Sequence, residues 1–210
     1  NAKGTPNIVD YSITDELLRS ENALGYTFEI TKSPNSSIGV QAICPQGTTE
    51  TRTMRSYVTD YPVDHTEGNL KYILLNDYLE AAISIKDYIA GEFYPPVNYV
   101  RMGNEKKVSK HQSFSVDDSN LKFTFRIKKP FIGSNKFNLT PAFHVYVTTK
   151  DSDSLTNVVY NISYSGEIIV PQSCEVNTNE TITFDFGNIG ANAFSHAGAG
   201  NKPESVNPQT

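Results

Sequence analysis

Hydrophobic and polar positions alternate along much of the second half of the chain. In LKFTFRI, residues 121–127, every second residue is apolar, and FNLTPAFHVYV, residues 137–147, repeats the pattern. A period of two is typical of half-buried antiparallel strands. Pro141 within the second run predicts an edge or a bulge. The run NVVYNISYSGEIIV, residues 157–170, predicts two strands around a turn at Ser165-Gly166.

Shorter β-prone runs fill the first half: GYTFEI (25–30), SIGVQAIC (37–44), NLKYILL (69–75) and the weaker RSYVTDYPV (55–63). Many short strands separated by turn residues predict an all-β fold, an immunoglobulin-like or jelly-roll-type β-sandwich. One or two short helices are also expected. The first candidate is TDELLRSENAL (14–24), with Thr14 as N-cap and Gly25 as terminator. The second is NDYLEAAISIKDYIA (76–90), although its second half, ISIKDYI, also alternates and fits a strand.

Composition narrows the class of protein without naming a function. The chain has 210 residues, 38% of them hydrophobic, and a net charge of −5. These values fit a soluble globular protein with a real core. The mild acidity argues against nucleic-acid binding, and no apolar run has the length of a membrane span. No nucleophile elbow, phosphate loop or dinucleotide fingerprint occurs, so no catalytic residue is predicted.

The strongest boundary in the sequence is Pro171-Gln172-Ser173. Residues 1–170 complete the sandwich pattern, and CEVNTNETITFDFG, residues 174–187, begins a new strand pair. From Gly190 the chain is rich in Gly, Ala, Asn, Ser and Pro, with too few apolar residues to build a core. We therefore expect a first domain over 1–170, a linker at 171–173, and a truncated, largely disordered start of a second domain over 174–210.

Two segments carry a family resemblance. CEVNTNETITFDFGNI, residues 174–189, resembles the opening of a bacterial chaperone–usher fimbrial subunit domain, or pilin domain. FRIKKPFIGSNKFNLTPAFHVYV, residues 125–147, resembles a segment near the end of the receptor-binding domain of fimbrial adhesins. Their order and spacing resemble a two-domain chaperone–usher fimbrial tip adhesin.

The resemblance implies a lectin-like domain that binds a host-surface glycan or glycoprotein receptor and mediates attachment and virulence. It implies export through the periplasm, display at the extracellular fimbrial tip, and a periplasmic chaperone, an usher and the next pilus subunit as partners. It implies no enzyme activity, no nucleic acid and no membrane insertion. Two alternatives stay open: a minor structural pilus subunit or adaptor, and a secreted β-sandwich glycan-active enzyme.

The resemblance also bears on the two cysteines. Cys174 would pair with a later pilin cysteine that this sequence does not contain, so it would be a free thiol. A Cys44–Cys174 disulfide is the alternative, and it requires Cα atoms within about 7 Å.

The receptor site of such a domain is expected in a polar pocket on loops at the end of the sandwich away from the linker. Sugar recognition uses carboxylate and amide hydrogen bonds together with an aromatic face. TDYPVDHTEGN, residues 59–69, is the densest cluster of such residues, and a solvated turn is the alternative. Its candidate residues are Asp60, Tyr61, Asp64, His65, Glu67 and Asn69.

A second candidate is GNEKKVSKHQS, residues 103–113, which is locally basic. Lys110 and His111 in this segment would attract an acidic glycan, whereas a plain exposed hairpin is the alternative. No metal or other cofactor is expected, because the histidines lack metal-ligand spacing. A zinc site built from His65, His111 and His144 is the alternative. His144 alternates with core residues of its strand, which favours a solvent-facing side chain instead.

Overall fold

The structure, a computed structural model, describes residues 7–36, 40–47, 49, 53–103, 107–116, 118–148 and 158–172. These residues form thirteen strands and a single 3₁₀ turn at Arg19–Glu21. The strands are β1 (Asn7–Glu16), β2 (Thr27–Lys32), β3 (Val40–Cys44), β4 (Met54–Val58), β5 (Val63–Glu67), β6 (Leu70–Leu74), β7 (Leu79–Asp87), β8 (Gly91–Phe93), β9 (Val97–Arg101), β10 (Gln112–Val116), β11 (Leu121–Ile127), β12 (Gly133–Thr148) and β13 (Val158–Val170).

The strands form a β-sandwich, which confirms the predicted fold class. One sheet has the order β1-β13-β12-β4-β9, and β1 pairs with β13 in parallel. The other has the order β2-β11-β7-β6-β5, with β8 paired to β7. β3 and β10 form a separate two-stranded sheet.

Aromatic side chains from the two sheets meet in the core. The ring of Phe123 on β11 lies 5.7 Å from that of Tyr11 on β1 and 5.1 Å from that of Tyr164 on β13. Both pairs are edge-to-face, a favourable geometry for aromatic rings. All three side chains are at most 1% exposed, so the seam between the sheets is closed to solvent.

The alternation in the second half of the chain is confirmed. All four apolar positions of β11 are fully buried, and those of β12 from Phe137 to Val145 are buried as well. A bulge interrupts β12, because Leu139 faces Tyr164 while Phe143 faces Ile162. Four steps on β12 thus match two on β13. An even number of extra residues keeps both flanking segments on the same face.

The predicted turn at Ser165-Gly166 is wrong, because β13 continues through it. Gly166 pairs with Ile13 on one side and Phe137 on the other, so both neighbours hold the backbone in the sheet. A Cβ on Gly166 would lie 1.6 Å from the carbonyl oxygen of Ile13. Glycine is needed here for the close approach of β1, not for chain reversal.

The helix predicted over 14–24 is wrong beyond the 3₁₀ turn. Thr14 and the two residues after it extend β1 along β13, and Leu17 N–H still donates to Ile169 O at 2.8 Å. Glu21 accepts hydrogen bonds from Leu18 N–H at 2.8 Å and Tyr26 Oη at 2.7 Å. Parallel pairing with a distant strand overrides the local helix signal.

The helix predicted over 76–90 is also wrong, and the strand alternative for its second half is correct. Asn76 Oδ1 accepts from the N–H groups of Tyr78 and Leu79, at 2.9 and 3.2 Å, and forms an Asx turn that leads into β7. β7 lies inside its sheet and is buried on both faces from Leu79 to Ile85. Burial on both faces removes the alternation by which a strand is recognised.

The predicted boundary follows the last strand directly. β13 ends at Val170, one residue before Pro171. The predicted second unit, residues 174–210, and the linker residue Ser173 lie outside the described residues, so the two-domain division stays a prediction. Within the described residues, no helix has the length and hydrophobicity needed to cross a membrane.

Candidate functional site

Strand register defines two ends of the sandwich. β13 begins at Val158, and its last residue, Val170, precedes Pro171. β1 begins at Asn7 beside the start of β13, and the antiparallel β12 ends at Thr148 on the same side. These three positions lie opposite Pro171, at what we call the distal end.

A buried carboxylate joins the sheets at the distal end. Asp118, between β10 and β11, is 6% exposed. Its Oδ1 accepts a hydrogen bond from Arg55 Nη1 at 3.1 Å. Tyr57 Oη lies 3.2 Å from Oδ1 and 3.1 Å from Oδ2, and Tyr160 Oη donates to Oδ2. One carboxylate therefore connects the β10–β11 segment to β4 and β13.

The two tyrosines of this cluster are neutral donors. Burial raises the pKa of Tyr57, the charge of Asp118 raises it further, and Arg55 opposes the rise. Burial and then the charge of Asp118 raise the pKa of Tyr160 as well. Both pKa values lie above the usual 10.0, so at neutral pH each hydroxyl keeps its proton and donates a hydrogen bond to the carboxylate.

A pocket of about 360 Å³ lies over this cluster. Among the described residues, its buried lining consists of Arg55, Asp118 and two apolar side chains, Ile85 and Met102. The remaining lining residues are more exposed and are all polar or aromatic. They are Lys86, Asp87, Tyr88, Ser115, Ser119 and Asn120.

The turn after β7 forms the exposed part of the rim. Asp87 Oδ2 accepts hydrogen bonds from the N–H groups of Ile89 at 2.9 Å and Ala90 at 3.0 Å, which fixes the turn into β8. The turn packs on the backbone of Gly103, where an added Cβ would lie 2.3 Å from the ring of Tyr88. Tyr88 is nevertheless 75% exposed, so most of its ring remains open to a ligand.

The pocket has the groups that bind a sugar. Carboxylate, amide and hydroxyl groups exchange hydrogen bonds with sugar hydroxyls, and an exposed aromatic ring covers the apolar face of a pyranose. Among the described lining residues the formal charges cancel, since Arg55 and Lys86 give +2 and Asp87 and Asp118 give −2. The arrangement therefore suits a neutral polyol.

The first predicted loop, residues 59–69, does not line this pocket. Val63–Glu67 form β5, the edge strand of the second sheet, so the solvated-turn alternative is wrong for these residues. Asn69 lies in the turn between β5 and β6, and Tyr61 packs partly buried against the core. Sequence reasoning missed the strand because Pro62, Asp64 and Glu67 are poor strand formers.

Charged residues of this segment are engaged within the domain. Asp64 forms an ion pair of 2.6 Å with Lys128, which directly follows β11 at the end near Pro171. His65 Nε2 lies 3.3 Å from Glu67 Oε1. Asp64 is therefore at the opposite end of the sandwich from the pocket.

Both ring nitrogens of His144 lie within hydrogen-bonding distance of other side chains, although its ring was expected to face solvent. Its Nδ1 lies 2.7 Å from Asn161 Oδ1, and its Nε2 lies 3.0 Å from Asp60 Oδ2. Within the part of the chain that the structure describes, no group of three or more His, Cys, Asp or Glu side chains is placed to hold a metal. The alternative zinc site built from His65, His111 and His144 thus has no support in the geometry.

The second predicted segment lies beside the two-stranded sheet. Lys110 and His111 are exposed in the turn before β10, and His111 N–H donates to Cys44 O at 3.0 Å. The backbone of this turn packs on Gly47, where a Cβ would lie 2.8 Å from Lys110 N. Neither predicted residue lines the pocket, and residues 104–106 of the segment lie outside the described ranges.

Cys44 carries a partly buried thiol that donates to Gly47 O at 3.2 Å. Its suggested partner, Cys174, is not among the described residues. The Cys44–Cys174 disulfide therefore stays a prediction.

Sequence reasoning missed the pocket residues for two reasons. Asp118 precedes the β-prone run 121–127, where acidic residues are typical of a turn, and Asp87 and Tyr88 lie at the end of the helix predicted over 76–90. One signal was present in RSYV. Arg55 has the same parity as the fully buried Tyr57, and a cation on a core face requires a buried partner.

The sequence is similar to that of a bacterial adhesin along its whole length. It is 48% identical over 212 aligned positions to the type 1 fimbrin D-mannose specific adhesin of Salmonella typhimurium. The alignment covers 100% of this chain and 62% of that relative, so the chain spans less than two thirds of the relative's length. Residues 162–209 match the family model described as Fimbrial protein, and the match begins within β13.

Solved structures show a more distant likeness. The CupB6 tip adhesin of Pseudomonas aeruginosa superposes with a TM-score of 0.46 at 9% identity, over 81% of this chain and 42% of that one. The receptor-binding domain of a plasmid-born adhesin of Klebsiella pneumoniae gives a TM-score of 0.37 at 15% identity, over 80% of this chain and 95% of that one.

Proposed function

We propose that this chain is the receptor-binding part of a fimbrial adhesin and that its distal pocket binds a neutral hexose of a host-surface glycan. The observation that carries the proposal is the 48% identity, along the entire chain, to an adhesin named D-mannose specific. The pocket supports the ligand class, because it combines hydrogen-bonding groups with an exposed tyrosine and a balanced charge.

The distal pocket is a better receptor site than residues 59–69. A fimbrial adhesin is held to its fibre at one end, so its receptor site must face away from that end. The pocket lies opposite Pro171, whereas the Asp64–Lys128 ion pair lies near it. Because the similar adhesin is named D-mannose specific, a mannoside is the first ligand to test.

Export and assembly complete the proposal. The match of residues 162–209 to the fimbrial family model supports a pilin domain after Pro171. Such a domain would receive a strand from the next subunit by β-strand addition, after handling by a periplasmic chaperone and an usher. The adhesin would then be displayed outside the cell at the fimbrial tip.

Binding to a glycan array tests the proposal. We expect retention of mannosides without cleavage, and equal retention in the presence of a chelator because the proposed contacts need no metal. Loss of binding on chelation would instead favour a metal-dependent site. Cleavage of the glycan would favour the enzyme alternative, and no retention of any glycan would favour the adaptor.

Replacing Tyr88 tests the position of the site. We expect Tyr88→Ala to weaken mannoside binding about tenfold, because stacking of an aromatic ring is worth about 1.5 kcal/mol. The control is Asp64→Ala combined with His65→Ala, at the opposite end. If the double variant lost binding while Tyr88→Ala bound fully, residues 59–69 would be the better candidate for the receptor site.

A further inference from the structure

We propose that Asp118 sets the charge preference of the distal pocket. By cancelling the charge of Arg55, it makes the pocket accept a neutral hexose and reject the corresponding hexuronate. The inference rests on the proposed function of this pocket. Asp118 is a positioning residue here, because it acts through Arg55 and not by touching the sugar.

Arg55 alone would favour an anion. Its side chain is 4% exposed, it lines the pocket, and a guanidinium remains charged at every physiological pH. Arginine in such a place binds carboxylates through charge-assisted hydrogen bonds. A pocket with Arg55 and no counter-charge would therefore select acidic sugars.

Asp118 supplies a counter-charge to Arg55, and both of its oxygens accept hydrogen bonds from the protein. Its Oδ1 accepts from Arg55, its Oδ2 accepts from Tyr160, and the single hydroxyl hydrogen of Tyr57 is shared between the two oxygens. With both oxygens held by the protein, the carboxylate has little capacity left for a ligand hydroxyl. Its effect on the ligand is therefore the charge that it adds beneath the pocket.

This buried pair matters more than the charges on the rim. Lys86 and Asp87 also cancel, but they lie at the mouth of the pocket, where water and salt screen them. Arg55 and Asp118 are only 4% and 3% exposed, so an imbalance between them acts through a medium of lower dielectric constant. Removing one member of this pair should change ligand choice more than any single rim substitution.

Four proteins distinguish an effect of the pair's charge from a general loss of packing. The wild type and the double variant Arg55→Gln with Asp118→Asn have a neutral pair, Asp118→Asn alone leaves a charge of +1, and Arg55→Gln alone leaves −1. The two probes are methyl α-D-mannoside and methyl α-D-mannuronoside, which differ only in a carboxylate at C6. The measured quantity is the ratio of the two Kd values by titration calorimetry, with circular dichroism to confirm folding.

We expect the ratio to follow the charge of the pair. Asp118→Asn should shift it towards the uronoside by about tenfold, and Arg55→Gln should shift it the other way, since a unit charge in a partly screened site is worth at least one decade of affinity. The double variant should return to the wild-type ratio. Loss of packing would weaken both probes alike and leave the ratio unchanged.

A ratio that stays constant across the four proteins overturns the inference. If Asp118→Asn does not fold, the difference between Arg55→Gln and the double variant still decides it. Should mannose not be the ligand, the best neutral hexose from the glycan array and its own 6-carboxylate replace the probes. A wild type that binds no neutral hexose refutes the proposed function as well, whereas binding with a constant ratio refutes this inference alone.

Discussion

Among the described residues, two arginine–carboxylate pairs include a buried carboxylate, and they differ in what surrounds them. Arg55 and Asp118, at the pocket, are 4% and 3% exposed. Arg126 Nη1 bonds Glu80 Oε2 at 2.8 Å on the second sheet, where the arginine is 20% exposed and the glutamate 0%. The first pair is sealed between sheets, whereas the second has one partner open to water.

Their hydrogen bonding differs as much as their burial. Asp118 receives hydroxyl donors on both oxygens, whereas among the described residues no donor faces Glu80 Oε1. Burial raises the pKa of Glu80, the hydrogen bond from Arg126 opposes the rise, and the nearby carboxylate of Asp64 adds to it. Glu80 is thus buried with one oxygen that lacks a hydrogen-bond donor among the described residues, whereas Asp118 accepts hydrogen bonds on both oxygens.

The difference shows how the same chemistry serves two ends of one domain. A carboxylate that accepts hydrogen bonds on both oxygens is held in one position, which suits the floor of a pocket. A buried carboxylate with an empty acceptor site gains less from its arginine, because the cost of desolvation is only partly offset. Substitutions should therefore affect the two pairs unequally.

The largest expected effect comes from Asp118→Ala. It leaves Arg55 charged and buried and removes the acceptor of two tyrosine hydroxyls, so we expect a loss of about 3–5 kcal/mol in the free energy of unfolding. Urea denaturation measures it, with Asp60→Ala, a carboxylate that is 82% exposed, as the control. A loss below about 1 kcal/mol would show that the pocket pair is no more important than a surface one.

The next largest effect isolates the contribution of the tyrosine hydroxyl donors from that of Arg55. Tyr57→Phe with Tyr160→Phe should cost about 1–3 kcal/mol, because the buried carboxylate loses neutral donors that nothing replaces. The matched control is Tyr164→Phe. Tyr164 is equally buried, and its hydroxyl has no hydrogen-bond partner among the described residues, so its removal should cost almost nothing. Equal costs for the two changes would contradict the account of Asp118.

A pH titration distinguishes the second pair. Because the pKa of Glu80 is raised in the folded state, its protonated form is favoured there, and the associated stability is present below 4.5 and lost as the pH rises through the raised value. Relative to Glu80→Gln, the wild type should therefore lose stability as the pH is raised from about 4 to 7. A difference between the two proteins that stays flat over this range would mean that Glu80 is fully stabilised by Arg126.

The smallest expected effect comes from the ion pair of Asp64 and Lys128, which lies near Glu80 on the second sheet. The hydrogen bond from Lys128 lowers the pKa of Asp64, so its contribution is present above the ordinary 3.8 and lost as the pH falls below it. Both side chains are about a third exposed, and Lys128→Met should cost less than about 1 kcal/mol at neutral pH. The cost should shrink further in high salt, and a larger, salt-independent cost would indicate a buried pair.

The strands of the second half could be predicted because a period of two is written directly in LKFTFRI and its neighbours. Of β7, only the second half fitted a strand, and that only as an alternative to a helix, because burial on both faces leaves LEAAISI without alternation. The end of β1 was missed for a related reason, since its partner lies more than 150 positions away, at Glu167–Ile169. Local signals fail where a distant strand supplies the hydrogen bonds.

The candidate site was harder still to predict. Its floor and rim combine Arg55 of β4, Asp87 at the end of β7 and Asp118 before β11, which no sequence spacing relates. Residues 59–69 are instead the densest polar cluster along the sequence, but residues close together in sequence need not line one pocket. Only the arginine on a core face of RSYV hinted at the position of the pocket.

The central place of β13 has a mechanical consequence. Its strand is bonded on one side to β1 and on the other to β12, from the distal end to Val170. A pull on Pro171 against the distal end of the sandwich would run lengthwise along this strand and load both ladders in shear. Many hydrogen bonds would then have to yield together, and not one after another as in peeling, so the domain should resist tension best along its own long axis.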